Sequence, residues 1–222
     1  MSKKSGKSLD LLIIRHATSV ANTKGKLAGR VEPNPLSPEG RKQAEQLAGV
    51  IEDFKPTRFI SSPLTRCRQT LELAGVRGFE VSEEIMEMDY GRWSDKSLKR
   101  LSLLPGWKKV QRDPLSFRFP HGESFQECRE RITTFRSRFA KWEGERMVIC
   151  SHGDIIRILI NELLGREFST FQQLHIFPAS LSRLQVDFAG GSENGLPRLL
   201  YLNRIASQAP IATAKGYQVG GE

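Results

Sequence analysis

Short apolar runs alternate along the chain with longer segments in which apolar residues recur every three or four positions. Residues 9–14 and 147–150 are the two strongest runs, and only Asp10 interrupts the first. Runs of this length are typical of strands that are buried on both faces of a sheet. Further strands are predicted at residues 58–61, 79–81, 181–187 and 199–203.

Segments with helical periodicity fill the intervals between these strands. Ser-Pro pairs at residues 37–38 and 62–63 place a capping serine before a proline, which favours the start of a helix. The clearest helix is predicted at residues 125–142, where apolar positions alternate in steps of three and four. Strands that alternate with helices predict an α/β fold in which several strands end at one sheet edge.

The chain has 222 residues, with 34 Lys or Arg and 25 Asp or Glu, so its formal net charge is +9. The length favours one domain, which we place at residues 9–204, between a basic disordered tail at 1–8 and a flexible tail at 205–222. The charge is compatible with nucleic acid, a membrane surface or an anionic small substrate, and alone it does not select among them.

The sequence contains neither a recognisable secretory signal nor an apolar run of membrane-spanning length, so we predict a cytoplasmic protein without a membrane partner. Its three cysteines, Cys67, Cys128 and Cys150, form no CxxC pair. This argues against a disulfide framework or a cysteine-rich zinc site, and it predicts buried free thiols.

Charged residues follow three of the predicted strands. Arg15 and His16 follow the strand predicted at 9–14, and His152 follows the run at 147–150. Arg66 lies in the first turn of the helix that is predicted after the strand at 58–61. Ligands of open α/β sheets bind beyond such strand ends. A guanidinium group holds phosphate oxygens in a planar fork, and a neutral imidazole can attack phosphorus. Glu87 lies in a loop that could fold over the same edge.

These five side chains would suffice for phosphoryl transfer. One histidine would attack phosphorus in line, while the arginines and the second histidine, if protonated, would stabilise charge on the equatorial oxygens. The glutamate would protonate the leaving alcohol and then take a proton from the attacking water. The residues therefore predict a site for a small phosphorylated substrate.

Several short motifs follow one another between residues 11 and 160. They are Arg15-His16-Ala17-Thr18 with Asn22, residues 34–40 (Asn-Pro-Leu-Ser-Pro-Glu-Gly), residues 61–66 (Ser-Ser-Pro-Leu-Thr-Arg), Glu87 with Gly91 and Trp93, residues 120–124 (Pro-His-Gly-Glu-Ser) and residues 151–153 (Ser-His-Gly). Each motif is weak alone, but in this order the set is highly specific. The chain thus resembles the histidine phosphatase superfamily, which also contains the cofactor-dependent phosphoglycerate mutases.

The resemblance implies a role for each matched residue. His16 would be the nucleophile that becomes phosphohistidine, and Glu87 would be the proton donor. The phosphate and substrate contacts would come from Arg15, Arg66, His152, Asn22 and Gly153.

The resemblance also implies a three-layer α/β/α sandwich on a mostly parallel, mixed sheet, with no metal and no organic cofactor. The activity implied is that of a histidine acid phosphatase-type phosphomonoesterase, because the segment from Glu87 to His152 is short by mutase standards. The residues after Tyr90 also depart from the mutase pattern. A mutase-type phosphotransferase remains the alternative enzyme.

Departures from the family pattern bear on this interpretation. Ala17 stands where glycine is usual, and we expect it to shift the loop slightly without abolishing activity. Residues 93–95 (Trp-Ser-Asp) replace the usual Trp-Glu-Gly near the acid. Glu83 and Glu84 compete with Glu87 for the acid role, but their spacing to the following glycine and tryptophan does not fit.

Two alternatives are not enzymes. The fold could serve as a phospho-ligand-binding module, although such a module needs neither an attacking histidine nor an acid. Nucleic-acid binding follows from charge alone, and its main hint is Trp107 beside Lys108 and Lys109, so we do not expect this partner.

Residues 96–118 carry seven cations against one acidic residue, and they form either a solvated surface or a subsite for a second anionic group. The substrate stays open among sugar phosphates and bisphosphates, α-ribazole phosphate and phosphoproteins. The oligomeric state is also open, and a homodimer is one possibility.

Overall fold

The computed structural model describes residues 7–189, 192–193 and 197–207. Within these ranges the strands are β1 (Ser8–Arg15), β2 (Lys26–Leu27), β3 (Arg58–Ser61), β4 (Glu80–Val81), β5 (Lys96–Ser97), β6 (Arg146–Ser151), β7 (Leu181–Ala189), β8 (Ser192–Glu193) and β9 (Arg198–Arg204). The α-helices are α1 (Val20–Thr23), α2 (Pro38–Glu45), α3 (Ala48–Phe54), α4 (Thr65–Leu73), α5 (Leu98–Leu101), α6 (Pro105–Arg112), α7 (Phe125–Arg136) and α8 (Gly153–Leu163).

The main sheet has the strand order β4-β3-β6-β1-β7, and both β8 and β9 pair with β7. The strands from β4 to β1 run parallel, whereas β7 runs antiparallel to β1. The predicted α/β fold on a mostly parallel, mixed sheet is therefore confirmed. Because parallel strands end at the same edge, the residues that follow β1, β3 and β6 meet there.

β1 lies inside the sheet, and its side chains alternate between two cores. Leu9, Leu11 and Ile13 are buried with residues of α7 and α8, whereas Leu12 and Ile14 are buried with residues of α3 and α4. Successive strand residues point to opposite faces, so helices cover both faces of the sheet. This produces the predicted three-layer α/β/α arrangement, and it explains why the strand is apolar on both sides.

The predicted N-terminal tail is wrong at its inner boundary. Ser8 is the first residue of β1 and lies opposite Asp187 of β7. The carbonyl oxygen of Lys7 accepts a hydrogen bond from the Phe188 amide at 3.0 Å. Residues 1–6 and 208–222 of the two predicted tails lie outside the described residues, so the outer limits of the domain stay a prediction.

Two helical segments also differ from prediction. The helix predicted at residues 125–142 ends at Arg136, and Phe139–Trp142 forms a separate 3-10 turn. In this turn the rings of Phe139 and Trp142 contact the ring of Phe135, so the aromatic residues share one core although the helix has ended. The helix predicted after Ser37 is divided into α2 and α3.

The described residues contain no helix with the length and apolar character that a bilayer span requires. They also contain no group of three or more His, Cys, Asp or Glu side chains arranged to hold a metal ion. The three cysteines are buried free thiols, which confirms that prediction.

Candidate active site

The parallel strands β1 and β6 bring two histidines together. Arg15 at the end of β1 lies opposite Ser151 at the end of β6, so His16 and His152 leave the sheet as neighbours. Their ring centroids are 5.2 Å apart, and both rings are buried. Arg66 enters the same space from the first turn of α4, which follows β3.

The surroundings of His16 fix its protonation state. Its Nδ1 lies 2.7 Å from the carbonyl oxygen of Ala17, which can only accept a hydrogen bond, so Nδ1 carries the proton. Burial, and then the nearby Arg66 and Arg15, lower the pKa of His16 well below its usual value. The Nε2 atom therefore keeps its lone pair, and the Nε of Arg66 lies 3.2 Å from it.

Two buried arginine atoms beside His16 have no hydrogen-bond partner among the described residues. Arg66 donates through Nη2 to the carbonyl oxygen of Gly29 at 2.9 Å, but its Nη1 is unpaired. Arg15 donates through Nη1 to the carbonyl oxygen of Ile176, but its Nε is unpaired. Buried donors are nearly always satisfied in proteins, so these atoms point to an anionic ligand such as phosphate.

His152 caps the N-terminus of α8 and is held on one side by a hydroxyl. Its Nε2 lies 2.7 Å from the Oγ of Ser62. This contact corrects the predicted helix start, because the Ser62 hydroxyl serves His152 and α4 begins only at Thr65. Burial, and then Arg66, lower the pKa of His152 well below its usual value, so both histidines are neutral before an anion binds. A bound phosphate dianion would favour the protonated form.

Glu87 reaches the same group of residues from the loop after β4. Its Oε2 lies 3.9 Å from the Nδ1 of His152, and its Oε1 accepts a hydrogen bond from the Met88 amide at 3.1 Å. Burial, and then the Asp154 carboxylate, raise the pKa of Glu87 to about 7. A carboxyl group with this pKa is protonated in a large fraction of molecules at neutral pH, as a general acid requires.

The two competing glutamates lie elsewhere. Glu83 is exposed, and the Glu84 carboxylate pairs with Arg138 and accepts a hydrogen bond from Ser82. Of the three acidic residues considered for the acid role, Glu87 is the one that the structure brings to His152.

The remaining predicted contacts are less direct. The Oδ1 of Asn22 accepts hydrogen bonds from the amide and hydroxyl of Ser19, both at 3.0 Å, which leaves its amide nitrogen as the only donor toward a ligand. Gly153 begins α8, and a methyl group there would lie 3.4 Å from the Arg15 guanidinium. No hydrogen bond among the described residues joins Asn22 to Arg15 or His16.

Ala17 fits its position without strain. It is not among the described non-glycine residues with a positive φ, so the backbone there does not require glycine. Its amide donates to the Oγ1 of Thr70 at 3.0 Å, and its methyl group is buried with Leu36 and Ala179.

A pair of arginines clamps the Glu87 loop, and no sequence motif pointed to this pair. Arg30 donates through Nε to the carbonyl oxygen of Glu87 at 2.7 Å, and Arg131 donates through Nη1 to the carbonyl oxygen of Met86 at 2.8 Å. The Oε1 of Glu123 joins the two guanidinium groups, at 2.9 Å from Arg30 and 3.1 Å from Arg131. We call these three side chains the Glu123 clamp.

The clamp explains the motif at residues 120–124. This segment crosses the Glu87 loop so closely that a methyl group on Gly91 would lie 2.1 Å from the Pro120 carbonyl oxygen. A methyl group on Gly122 would lie 2.3 Å from the carbonyl oxygen of Asp89. The crossing places the Glu123 carboxylate between the Arg30 and Arg131 side chains.

A second polar group lies beside Glu87. Asp154, in the first turn of α8, accepts a hydrogen bond from the Tyr90 hydroxyl at 2.7 Å and from the Nη1 of Arg157 at 2.9 Å. Closeness in sequence could have indicated this group. Asp154 directly follows the motif at residues 151–153, and Tyr90 lies three residues after Glu87.

Comparisons with known proteins agree with this arrangement. The family model of the histidine phosphatase superfamily (branch 1) matches residues 11–195. Phosphoserine phosphatase 1 of Hydrogenobacter thermophilus is 30% identical over 184 residues, which cover 80% of this chain and 86% of that protein. A protein named as a probable phosphoglycerate mutase from Salmonella arizonae is 27% identical over 182 residues, 79% of this chain and 84% of that protein.

Solved structures show the same fold. The crystal structure of the α-ribazole phosphatase from Shigella flexneri superposes with a TM-score of 0.78 at 23% identity, covering 91% of this chain and 100% of that one. The family match and the relatives together establish that this chain belongs to the histidine phosphatase superfamily, branch 1.

Proposed function

We propose that the protein is a metal-independent phosphomonoester hydrolase that works through a phosphohistidine on His16. The observation that carries the proposal is the His16 ring itself. Its Nε2 has a lone pair, and it lies beside buried arginine donors that lack partners. A neutral nucleophile next to a phosphate-binding pocket is the arrangement that covalent phosphoryl transfer needs.

In the first step, the Nε2 of His16 attacks phosphorus while the bond between phosphorus and the ester oxygen breaks. Glu87 gives its proton to that oxygen, so the products are a neutral alcohol, phosphohistidine and the Glu87 carboxylate. Arg15, Arg66 and His152 bind the phosphoryl oxygens and stabilise the charge that they carry in the transition state.

In the second step, the Glu87 carboxylate takes a proton from a water molecule as its oxygen attacks phosphorus. The bond between phosphorus and Nε2 breaks, and inorganic phosphate leaves. Both His16 and Glu87 return to their starting protonation states, which closes the catalytic cycle.

Hydrolysis is favoured over mutase activity by the short segment between Glu87 and His152 and by the departure from the mutase pattern after Tyr90. Among the relatives, one is named a phosphoserine phosphatase and another a probable phosphoglycerate mutase. A substrate panel should therefore include phosphoserine, α-ribazole phosphate and 3-phosphoglycerate. Isomerisation of 3-phosphoglycerate that exceeds release of phosphate would favour the mutase.

The test is hydrolysis of an aryl phosphate in excess chelator by the native chain, His16→Ala and His175→Ala. His175 is exposed and makes a ring contact with Phe177, so its variant is the matched control. We expect turnover in chelator, a loss of at least ~10³-fold for His16→Ala, and little change for His175→Ala. Turnover that survives His16→Ala would contradict the proposal.

A phospho-ligand-binding module would give a different result. In that case the native chain would release no phosphate from any substrate, yet inorganic phosphate would raise its melting temperature, because a ligand that binds only the folded state stabilises it. The same stabilisation with turnover supports the hydrolase.

A further inference from the structure

The segment from 96 to 118 exposes leucines on a basic surface. Leu103 is 82% exposed, and it lies beside Leu104 at the turn between α5 and α6. Leu98 and Leu115, at the two ends of the helical part, are also exposed. We call Leu103 and Leu104 the leucine turn.

The inner side of this segment is firmly packed. Leu101 and Val110 are buried in the main core, and the Trp107 ring stacks on the buried Trp93 ring with centroids 6.1 Å apart. The leucine turn is therefore held outward by a fixed structure. The stacking occupies one face of the Trp107 ring.

The cations of this segment are almost all unpaired. Arg118 pairs with Glu127, but no ion pair within the described part of the chain involves the other six. These six are exposed, and they are Lys96, Lys99, Arg100, Lys108, Lys109 and Arg112. Unpaired cations around exposed leucines form a surface that is both apolar and strongly positive.

We propose that this surface docks on a membrane that contains anionic lipid. An anionic bilayer attracts the cations and accepts the protruding leucines at its interface, so it satisfies both features together. The same surface of a second copy of the chain would be repelled, because it carries the same positive charge. The proposal revises the expectation of no membrane partner, since the outward direction of the leucines becomes visible only in the structure.

The start of the basic segment is linked to a loop of the candidate active site. β5 begins the segment and pairs with β2, and the loop after β2 carries Gly29 and Arg30, which contact Arg66 and Glu87. Docking would therefore hold the site near the lipid surface. The proposal does not depend on the mechanism, and its test needs no activity.

The experiment is co-sedimentation of the chain with vesicles of phosphatidylcholine alone or mixed with phosphatidylglycerol. The test variants are Leu103→Ser with Leu104→Ser, and Lys108→Gln with Lys109→Gln. The matched controls change two exposed leucines on β9, Leu199→Ser with Leu200→Ser, and two exposed cations on α2, Arg41→Gln with Lys42→Gln. Thermal melting verifies that every variant is folded.

We expect the native chain to bind the anionic vesicles and not the neutral ones. The lysine variant should bind about 25-fold more weakly, since each cation near an anionic surface contributes roughly fivefold. The leucine variant should bind at least ~10-fold more weakly, and the controls should stay close to the native chain.

The proposal is overturned if anionic lipid does not increase binding, or if the leucine variant binds as well as its control. A short nucleic-acid duplex provides a further arm, read by fluorescence anisotropy. Tight duplex binding that needs the lysines but not the leucines, without vesicle binding, would assign the surface to nucleic acid instead.

Discussion

At the scale of single residues, one environment prepares two groups for opposite tasks. Burial disfavours charge on both His16 and Glu87, so at neutral pH it keeps the imidazole neutral and a large fraction of the carboxyl groups protonated. The first state is that of a nucleophile and the second is that of an acid. In the proposed mechanism, this buried site at the sheet edge would supply both the nucleophile and the acid.

The pKa of Glu87 predicts the pH dependence for substrates with poor leaving groups. Because this pKa is raised to about 7, the acid form persists up to that pH, and turnover of an alkyl phosphate should fall above it. Glu87→Gln should lower this turnover by about 10²–10⁴-fold. The rate of the first step should fall less with nitrophenyl phosphate, because its leaving group is stable as an anion.

The control for that measurement is Glu83→Gln, which changes an exposed glutamate four residues away. The rate of alcohol release in the first turnover, measured across pH for both substrates, would show the difference, because the second step is the same for both. Equal losses of this first-step rate with alkyl and aryl phosphates would mean that Glu87 does not protonate the leaving group.

Asp154 should tune this acid. Its carboxylate raises the pKa of Glu87, so Asp154→Asn should move the fall in turnover to lower pH. The pH profile of the variant, measured with an alkyl phosphate, checks this expectation. A profile that stays in place or moves to higher pH would exclude an electrostatic role for Asp154.

At the scale of elements, the Glu123 clamp determines where Glu87 sits. Two guanidinium groups hold the carbonyl oxygens of Met86 and of Glu87 itself, and the Glu123 carboxylate joins them. Arg30 is separated from Glu123 and Arg131 by about a hundred residues along the chain, so no local pattern in the sequence reveals the clamp. The motif at 120–124 was visible, but its purpose required the fold.

Glu123→Gln should loosen the clamp while leaving the phosphate pocket intact. A misplacement of about 1 Å can slow a reaction by ~10²-fold, so we expect a loss of 10-fold or more with alkyl phosphates. With nitrophenyl phosphate the loss in the first-step rate should be smaller. Glu130→Gln, an exposed change on α7, is the control. Equal loss of the first-step rate with both substrates would assign Glu123 to general stability.

The crossing of the two loops predicts a stability effect. Gly91→Ala should lower the free energy of unfolding by about 2–4 kcal/mol, because the new methyl group overlaps a carbonyl oxygen and the residue has a φ of +51°. Gly49→Ala in α3 meets no atom within 4 Å and should raise it by about 0.5–1 kcal/mol. Urea denaturation measures both, and equal effects would contradict the crossing.

At the scale of the whole molecule, strand positions were the most predictable feature. An apolar run buried on both faces leaves a strong signal, and its end fixes where Arg15, His16 and His152 emerge. Even Asp10, which interrupts the first run, has a tertiary explanation, since Arg183 of β7 pairs with it. Parallel order then brings the strand ends together.

Helix boundaries were less predictable because tertiary contacts override local signals. Ser62 has the sequence of a helix cap, but its hydroxyl contacts His152, a residue 90 positions later. The exposure of the leucine turn could not be predicted for a similar reason. Leucines among basic residues can lie on either a buried or an exposed face of the fold. The reactive residues at the sheet edge could be recognised in the sequence. The residues from distant segments that hold them in place could not.

The central claim is that His16 carries the phosphoryl group, and trapping that intermediate tests it most directly. Glu87→Gln with nitrophenyl phosphate is the favourable case, because the first step needs little acid and the second lacks its base. Mass spectrometry after an alkaline quench, which preserves phosphohistidine, should locate one phosphoryl group on the peptide that contains His16. Continued turnover with no phosphoryl group there, or with the group on another residue, would contradict the account.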